Sequence, residues 1–170
     1  MSISKDSMDA LIKAQQGELD GVETYLCLAE AVHNQTDAET FRKLAADEGR
    51  HASVFKKYTD RVLVPKKGQA NAVVILYRLL GKRVVYPLIA QGEYTAINGY
   101  EHMMAEFPEV ETVKNDEKRH GDTVKALLKN GEYNDRPLMP FFVCGIVALA
   151  LLYRVIRRDV FYYLKKLIFR

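Results

Sequence analysis

The sequence predicts an all-α chain, built as a four-helix bundle with a long crossover between its second and third helices and a C-terminal hydrophobic helix. Three observations point there. Apolar residues recur at helical spacing along most of the 170 residues, and no stretch alternates convincingly as a strand. Two long helical patterns are joined by a short turn, and two more follow in the same way, so each pair should pack antiparallel. A short pattern also occurs twice, once in the second helix and once in the fourth. Asp47-Glu48-Gly49-Arg50-His51 is echoed by Asp116-Glu117-Lys118-Arg119-His120.

The elements follow in order. The first helix is expected from about Ser7 to His33, with Leu11, Ala14, Val22, Tyr25, Leu26 and Ala29 as its apolar stripe. Residues 34–37 make a turn, and Thr36 or Asp37 is expected to cap the second helix, with Glu39 in its first turn. That helix should run to about Val62, where Pro65-Lys66-Lys67-Gly68 breaks it. A short apolar helix is expected over Ala70 to Leu80, ended by Gly81. The third long helix should span Val84 to Glu106, and the fourth Glu109 to Lys129, with Pro108 near its start. A bundle of four helices with one long crossover has ferritin-like topology. We place this body at residues 1–132, and a polar linker with a hydrophobic and basic helix at 133–170.

Composition is that of an ordinary globular protein. The two cysteines, Cys27 and Cys144, form neither a disulfide framework nor a Cys-x-x-Cys metal site. Met1 to Asp9 is polar and lacks the apolar stretch of a secretory signal, so a cytoplasmic body is expected. Residues 138–170 hold six Lys/Arg and one Asp, which exceeds the net +3 of the whole chain. The body is therefore net acidic, which argues against nucleic-acid binding.

The repeated pattern carries the chemistry. Residues three apart on a helix are neighbours, about 5–6 Å apart, so each Glu-x-x-His offers a carboxylate and an imidazole to one point. That donor set suits iron or manganese better than calcium, which takes oxygen alone. The repeat extends upstream: Glu18 precedes Tyr25 by seven residues, as Glu93 precedes Tyr100, and seven residues is two helical turns. With 12 Glu and 4 His in 170 residues, about 0.3 accidental Glu-x-x-His matches are expected. One copy alone usually marks a solvated helix face, but two, each preceded by a Glu-x6-Tyr, form the di-iron and di-manganese bundle pattern.

The six candidate ligands are Glu18, Glu48, His51, Glu93, Glu117 and His120. Four carboxylates and two divalent ions cancel in charge, as a low-dielectric interior requires. Such a pair of iron ions suits two-electron reduction of O2 or peroxide. Asp47 and Asp116 are placed to orient the imidazoles, on their own helix or the facing one. Tyr25 and Tyr100 are candidates to hydrogen-bond a ligand carboxylate, or are simply core aromatics. Glu23 competes with Glu18, but lies about 140° around the helix from it. Glu101 and His102 are expected at the surface, and His33 at a helix end.

Residues 7–130 resemble the rubrerythrin branch of the ferritin-like superfamily, most clearly in Ala46-Asp47-Glu48-Gly49-Arg50-His51-Ala52-Ser53-Val54-Phe55 and in Asp116-Glu117-Lys118-Arg119-His120. The resemblance implies a non-haem di-iron centre reacting with peroxide or O2, with the ligand roles carried by the six residues above. Two departures stand out. Rubrerythrins proper carry a rubredoxin-like iron domain with paired Cys-x-x-Cys motifs, absent here, so an external electron donor is implied. Their extra Glu, three residues after the third-helix ligand, is replaced by Ala96.

The chain is also similar to demethoxyubiquinone hydroxylases, which are membrane-bound di-iron bundles, and to ferritin-like iron-delivery modules attached to transporters. The comparison rests on the tail. Leu138 to Tyr153 carries no charge, and an amphipathic, basic stretch follows from Arg154. Leu138 to Ile156 would span about 28 Å as a helix, close to a ~30 Å hydrocarbon core. Crossing the membrane would send the basic segment to the wrong side. An interfacial or re-entrant helix at the cytoplasmic face is therefore expected. The alternative is a fifth helix packed in a homodimer interface.

Overall fold

The computed structural model describes residues 3–129. Five helices and no strand occur among them: α1 Lys5–Ala31, α2 Gln35–Thr59, α3 Lys67–Leu80, α4 Lys82–Glu101 and α5 Val110–Ala126. Helices α1 and α2 pack as one hairpin, α4 and α5 as another, and α3 is the crossover, lying on α1 and α4. The all-helical, ferritin-like reading holds. The linker and tail expected over 133–170 lie outside the described residues. Among the described residues no helix is long and apolar enough to cross a membrane.

Several boundaries differ from the sequence expectation. The cap of α2 is Asn34, whose Oδ1 accepts from the Asp37 backbone N–H at 3.0 Å. Asn caps as well as Ser or Asp, and Asn34 already has extended backbone (φ −79°, ψ 121°). Asp37 instead sits in the first turn, buried under Tyr86 (2.8 Å) and Lys82 (3.4 Å). Helix α1 stops at Ala31 with Val32 as its cap, leaving His33 exposed beyond it. Helix α2 ends at Thr59, where Asp60 turns left-handed (φ 50°).

Gly68 does not break the chain but lies inside α3, which begins at Lys67. Gly81 serves two helices: at φ 73° it ends α3 and starts α4 two residues earlier than expected, a backbone conformation that suits glycine. Helix α4 ends at Glu101 rather than Glu106. Residues 102–106 fold as turns, with Met103 N–H bonding Tyr100 O at 3.0 Å and Phe107 N–H bonding Met103 O at 2.8 Å. Pro108 disfavours helical backbone at Phe107.

Two apolar clusters make the core. One joins Tyr25, Leu28, Phe41, Leu44, Tyr86 and Val124. The other joins Leu11, Ala14, Phe55, Tyr100, Val110 and Val113. Along each long helix the clusters fall on either side of the candidate ligands, so a polar layer is held midway between two apolar ones.

Candidate metal centre

Each long helix brings one part of the polar layer. Glu18 lies on α1, Glu48 and His51 on α2, Glu93 on α4, and Glu117 and His120 on α5. All but Glu93 are buried, and Glu93 is half-buried. Where α2 meets α5 the rings of His51 and His120 stack, with centroids 5.3 Å apart. Glu48, His51, Glu117 and His120 each offer a ligand atom, and these atoms all lie within 4.8 Å of one another. Glu18 joins them through Oε2, 3.2 Å from His51 Nδ1. Glu93 joins the layer from α4, close enough to Glu117 for the two carboxyls to influence each other.

The two histidines are held the same way. Their Nδ1 atoms face inward: His51 Nδ1 is 3.3 Å from Glu117 Oε1, and His120 Nδ1 is 2.9 Å from Glu48 Oε1. Their Nε2 atoms face outward to an aspartate on the facing helix, Asp116 for His51 (3.1 Å) and Asp47 for His120 (3.2 Å). Of the two alternatives for these aspartates, the cross-helix one is found. An Nε2–H donated to a carboxylate leaves Nδ1 as a lone pair for a metal.

The tyrosines also cross over. Tyr25 on α1 donates to Glu93 Oε1 on α4, and Tyr100 on α4 donates to Glu18 Oε1 on α1. The Glu-x6-Tyr register therefore ties each tyrosine to the other helix's glutamate rather than its own. Tyr25→Phe and Tyr100→Phe should each weaken metal binding by roughly tenfold, the low end for losing a hydrogen bond to a ligand. Competition titration with a metal indicator measures this, and unchanged affinity in both variants would refute the tyrosines' part.

Other sequence candidates fall elsewhere. Glu23 pairs with Lys67 at 3.5 Å and accepts from the Cys27 thiol. Glu101 is exposed and paired with Lys114 at 2.9 Å, and His102 is exposed. Two residues that the motif reading passed over prove structural to the site. Arg119 donates to both Asp47 (2.9 Å) and Asp116 (2.8 Å), clasping the two aspartates that orient the histidines. The sequence signal was present, since both copies of the repeat carry Arg one residue before His. Gly21 is the other: a Cβ there would meet Glu48 Oε2 at 2.8 Å. Its bare backbone is what lets Glu48 lie against α1.

The donor set fits a metal on two counts. Glu48 Oε1, Glu117 Oε1 and His120 Nδ1 are buried without a hydrogen-bond partner, although Glu48 Oε1 and His120 Nδ1 lie only 2.9 Å apart. Buried acceptors that converge without hydrogen bonding are expensive unless a cation binds them. The electrostatics agree. Burial, then the neighbouring Glu18 carboxylate, pushes Glu48 well above the usual carboxylate range. Burial and the hydrogen bond with Glu117 push Glu93 up to about 9. Burial opposes the charge of His51, but the facing Glu117 and Glu18 carboxylates outweigh it and raise His51 to about 10. Burial holds His120 below its ordinary value. Asp47 and Asp116 resist burial and stay low because Arg119 and the facing histidine bond them. Without metal, the shifts of Glu48, Glu93 and His51 all favour their protonated forms, which lessens the negative charge of the layer.

A pH dependence follows. Glu93 and His51 bind protons more tightly folded than unfolded. Their contribution is complete below the unfolded values and is lost as pH rises through the folded ones. For Glu93 the window runs from about 4.5 to about 9, and for His51 from about 6.5 to about 10. Glu48 shifts in the same direction. The Tm of the metal-free protein should therefore fall between about pH 6.5 and 9. Thermal melts across that range test this, and a flat or rising Tm would contradict it. Metal should flatten the dependence, because the ligands then lose their protons on binding.

The rubrerythrin family model matches residues 9–128. No curated protein and no solved structure matches the chain. With the helix order, the doubled Glu-x-x-His and the match over most of its length in agreement, the chain belongs to the rubrerythrin family.

Proposed function

We propose that the chain is a non-haem di-iron oxidoreductase that reduces peroxide or O2, taking electrons from Fe2+ or an external donor. The observation that carries this is the convergence of two Glu-x-x-His pairs, with Glu18 and Glu93 closing the layer from α1 and α4. Glu18, Glu48, His51, Glu93, Glu117 and His120 would hold two irons. Two ferrous ions supply two electrons, enough to take one H2O2 and two protons to two waters. Manganese suits similar ligands, but the family favours iron.

The chain's own residues support this chemistry in three ways. Asp116 and Asp47 fix the ring orientation of His51 and His120 from outside. Tyr25 and Tyr100 hold one oxygen each of Glu93 and Glu18, leaving the other oxygen for metal. Burial favours the protonated forms of Glu48 and Glu93 in the metal-free state, so metal loading should release protons and tighten as pH rises. The chain's two cysteines cannot build a rubredoxin-type donor, so the reductant must come from outside that motif.

Anaerobic Fe2+ titration followed by stopped-flow absorption with peroxide, and separately with O2, tests the reading. Two irons per chain and rapid formation of the ferric product with peroxide are expected. Rapid reaction with O2 but sluggish reaction with peroxide would move the activity to an oxygen-driven ferroxidase or hydroxylase. No rapid reaction with either oxidant would favour an iron-carrying role.

A further inference from the structure

The connection between α2 and α3 is not helical, yet it is firmly held. Residues 60–66 lie along α1, and three α1 side chains bind their backbone. Buried Gln15 donates to Arg61 O at 3.0 Å, and Gln16 donates to Val64 O at 3.0 Å. Asp20 Oδ1 accepts the Lys66 N–H at 2.7 Å. Asp20 is itself fixed by Gln16, and Gln15 by the hydroxyl of Thr59 at the end of α2.

Exposure alternates along this stretch as it does in extended chain. Val62 and Val64 are 84% and 74% exposed, the highest values for large apolar side chains among the described residues. Leu63 and Pro65 beside them are half-buried. The anchoring therefore holds two valines out in solvent. They stand in a basic setting on a body that is net acidic. Residues 56–67 hold Lys56, Lys57, Arg61, Lys66 and Lys67 against Asp60 alone. Lys57 is paired with Glu109 and Lys67 with Glu23. Arg61 and Lys66, which flank the valines, are exposed and make no ion pair among the described residues.

We propose that this connection docks the chain on an anionic lipid surface. Val62 and Val64 sit at the boundary of the acyl chains, and Arg61 and Lys66 meet the phosphate headgroups. Buried apolar area together with attraction to anionic lipid is what holds a protein in the interface plane. The segment's backbone limits the depth, because peptide groups stay where they can be hydrogen-bonded. Only the valine tips go deeper.

Charge and shape argue against other occupants. A second copy laid on the same segment would set Arg61 and Lys66 against their own kind. Residues 138–170 hold six Lys/Arg and one Asp, so the chain's own tail is repelled as well. A protein partner would need a hollow for the two tips, and protein interfaces are poor in Lys and rarely anchored by Val. A fluid surface accepts a protrusion without a matching hollow. The contact uses none of the candidate metal ligands and is separate from any contact of residues 138–170.

The chain has no tryptophan, so Val64→Trp places a single reporter on the segment, and Val62→Trp a second. Asn115→Trp, exposed on α5 in the other hairpin, is the control. The probe is vesicles of phosphatidylcholine and phosphatidylglycerol with brominated acyl chains, added to the full chain. Circular dichroism checks that each variant is folded. Both segment reporters should shift to the blue and be quenched, and the control should do neither. Arg61→Gln combined with Lys66→Gln should raise the lipid needed for quenching about 25-fold, from about fivefold per cation near an anionic surface.

No quenching at either valine position would overturn the proposal, even if the chain sediments with the vesicles, because attachment would then run through another surface. Equal quenching of the control would do the same, as would quenching indifferent to phosphatidylglycerol or to the two Gln substitutions. A blue shift that grows with protein concentration without lipid would assign the surface to a second copy instead. One produced by polyglutamate but not by vesicles would assign it to an acidic protein.

Discussion

Glu48→Ala and Glu117→Ala should each leave the chain binding fewer than two iron ions. Both carboxylates are buried at the centre of the layer, each within reach of a histidine Nδ1: Glu48 Oε1 lies 2.9 Å from His120 and Glu117 Oε1 lies 3.3 Å from His51. No other carboxylate on α2 or α5 stands ready to replace them, since Asp47 and Asp116 are held on the outer sides of the histidines by Arg119. Removing either one also leaves an excess of positive charge if two divalent ions are to enter. The second ion should then bind at least about a hundredfold more weakly, the upper range for losing even an outer-shell partner.

The metal-free Glu48→Ala protein should at the same time show a shallower fall of Tm with pH. One of the carboxyls whose protonated form the fold favours is gone. Iron stoichiometry by anaerobic titration and melts at several pH values check the two halves of this prediction. A variant that still binds two irons tightly would show that the ligand set is different.

Phe41→Ala should be among the most destabilising substitutions, at about 3–5 kcal/mol. Phe41 is fully buried. Its ring stacks on Tyr25 at 5.8 Å and meets the edge of Tyr86 at 5.3 Å, so it links α2 to both α1 and α4. Domains of this kind have total stabilities of about 5–15 kcal/mol, and the loss should lower Tm by roughly 10–15 °C. Because Tyr25 also holds Glu93, metal affinity should fall along with stability. Differential scanning calorimetry measures the first effect and metal titration the second. A Tm within a few degrees of the parent would mean that Phe41 does not tie the hairpins together.

Much of this arrangement was legible in the sequence because it rests on periodicity. Most of the apolar stripe of α1 and the doubled Glu-x-x-His follow the helical repeat, so the elements and the layer of candidate ligands were visible without coordinates, although Leu26 proves exposed and Leu28 fills the core instead. What depended on partners was less visible. The ends of α1 and α4 are set by Val32 and by the turns at 102–106, where local caps and Pro108 compete with a pattern that would have carried the helix further. Asp37 looked like a cap because of its residue type, yet Asn34 stood three residues ahead in the right backbone conformation. The crossed pairing of Tyr25 with Glu93, and of Tyr100 with Glu18, needed the third dimension, because spacing places each tyrosine on its own glutamate's face.

The central claim is that one chain holds two metal ions between the four long helices. Crystals of the full chain grown with Fe2+ under argon, with anomalous diffraction recorded on both sides of the iron edge, test it most directly. Two iron peaks per chain are expected in the polar layer, both between the Glu48–His51 pair of α2 and the Glu117–His120 pair of α5, with Glu18 and Glu93 on their flanks. A single peak, or peaks only at the surface, would contradict the account.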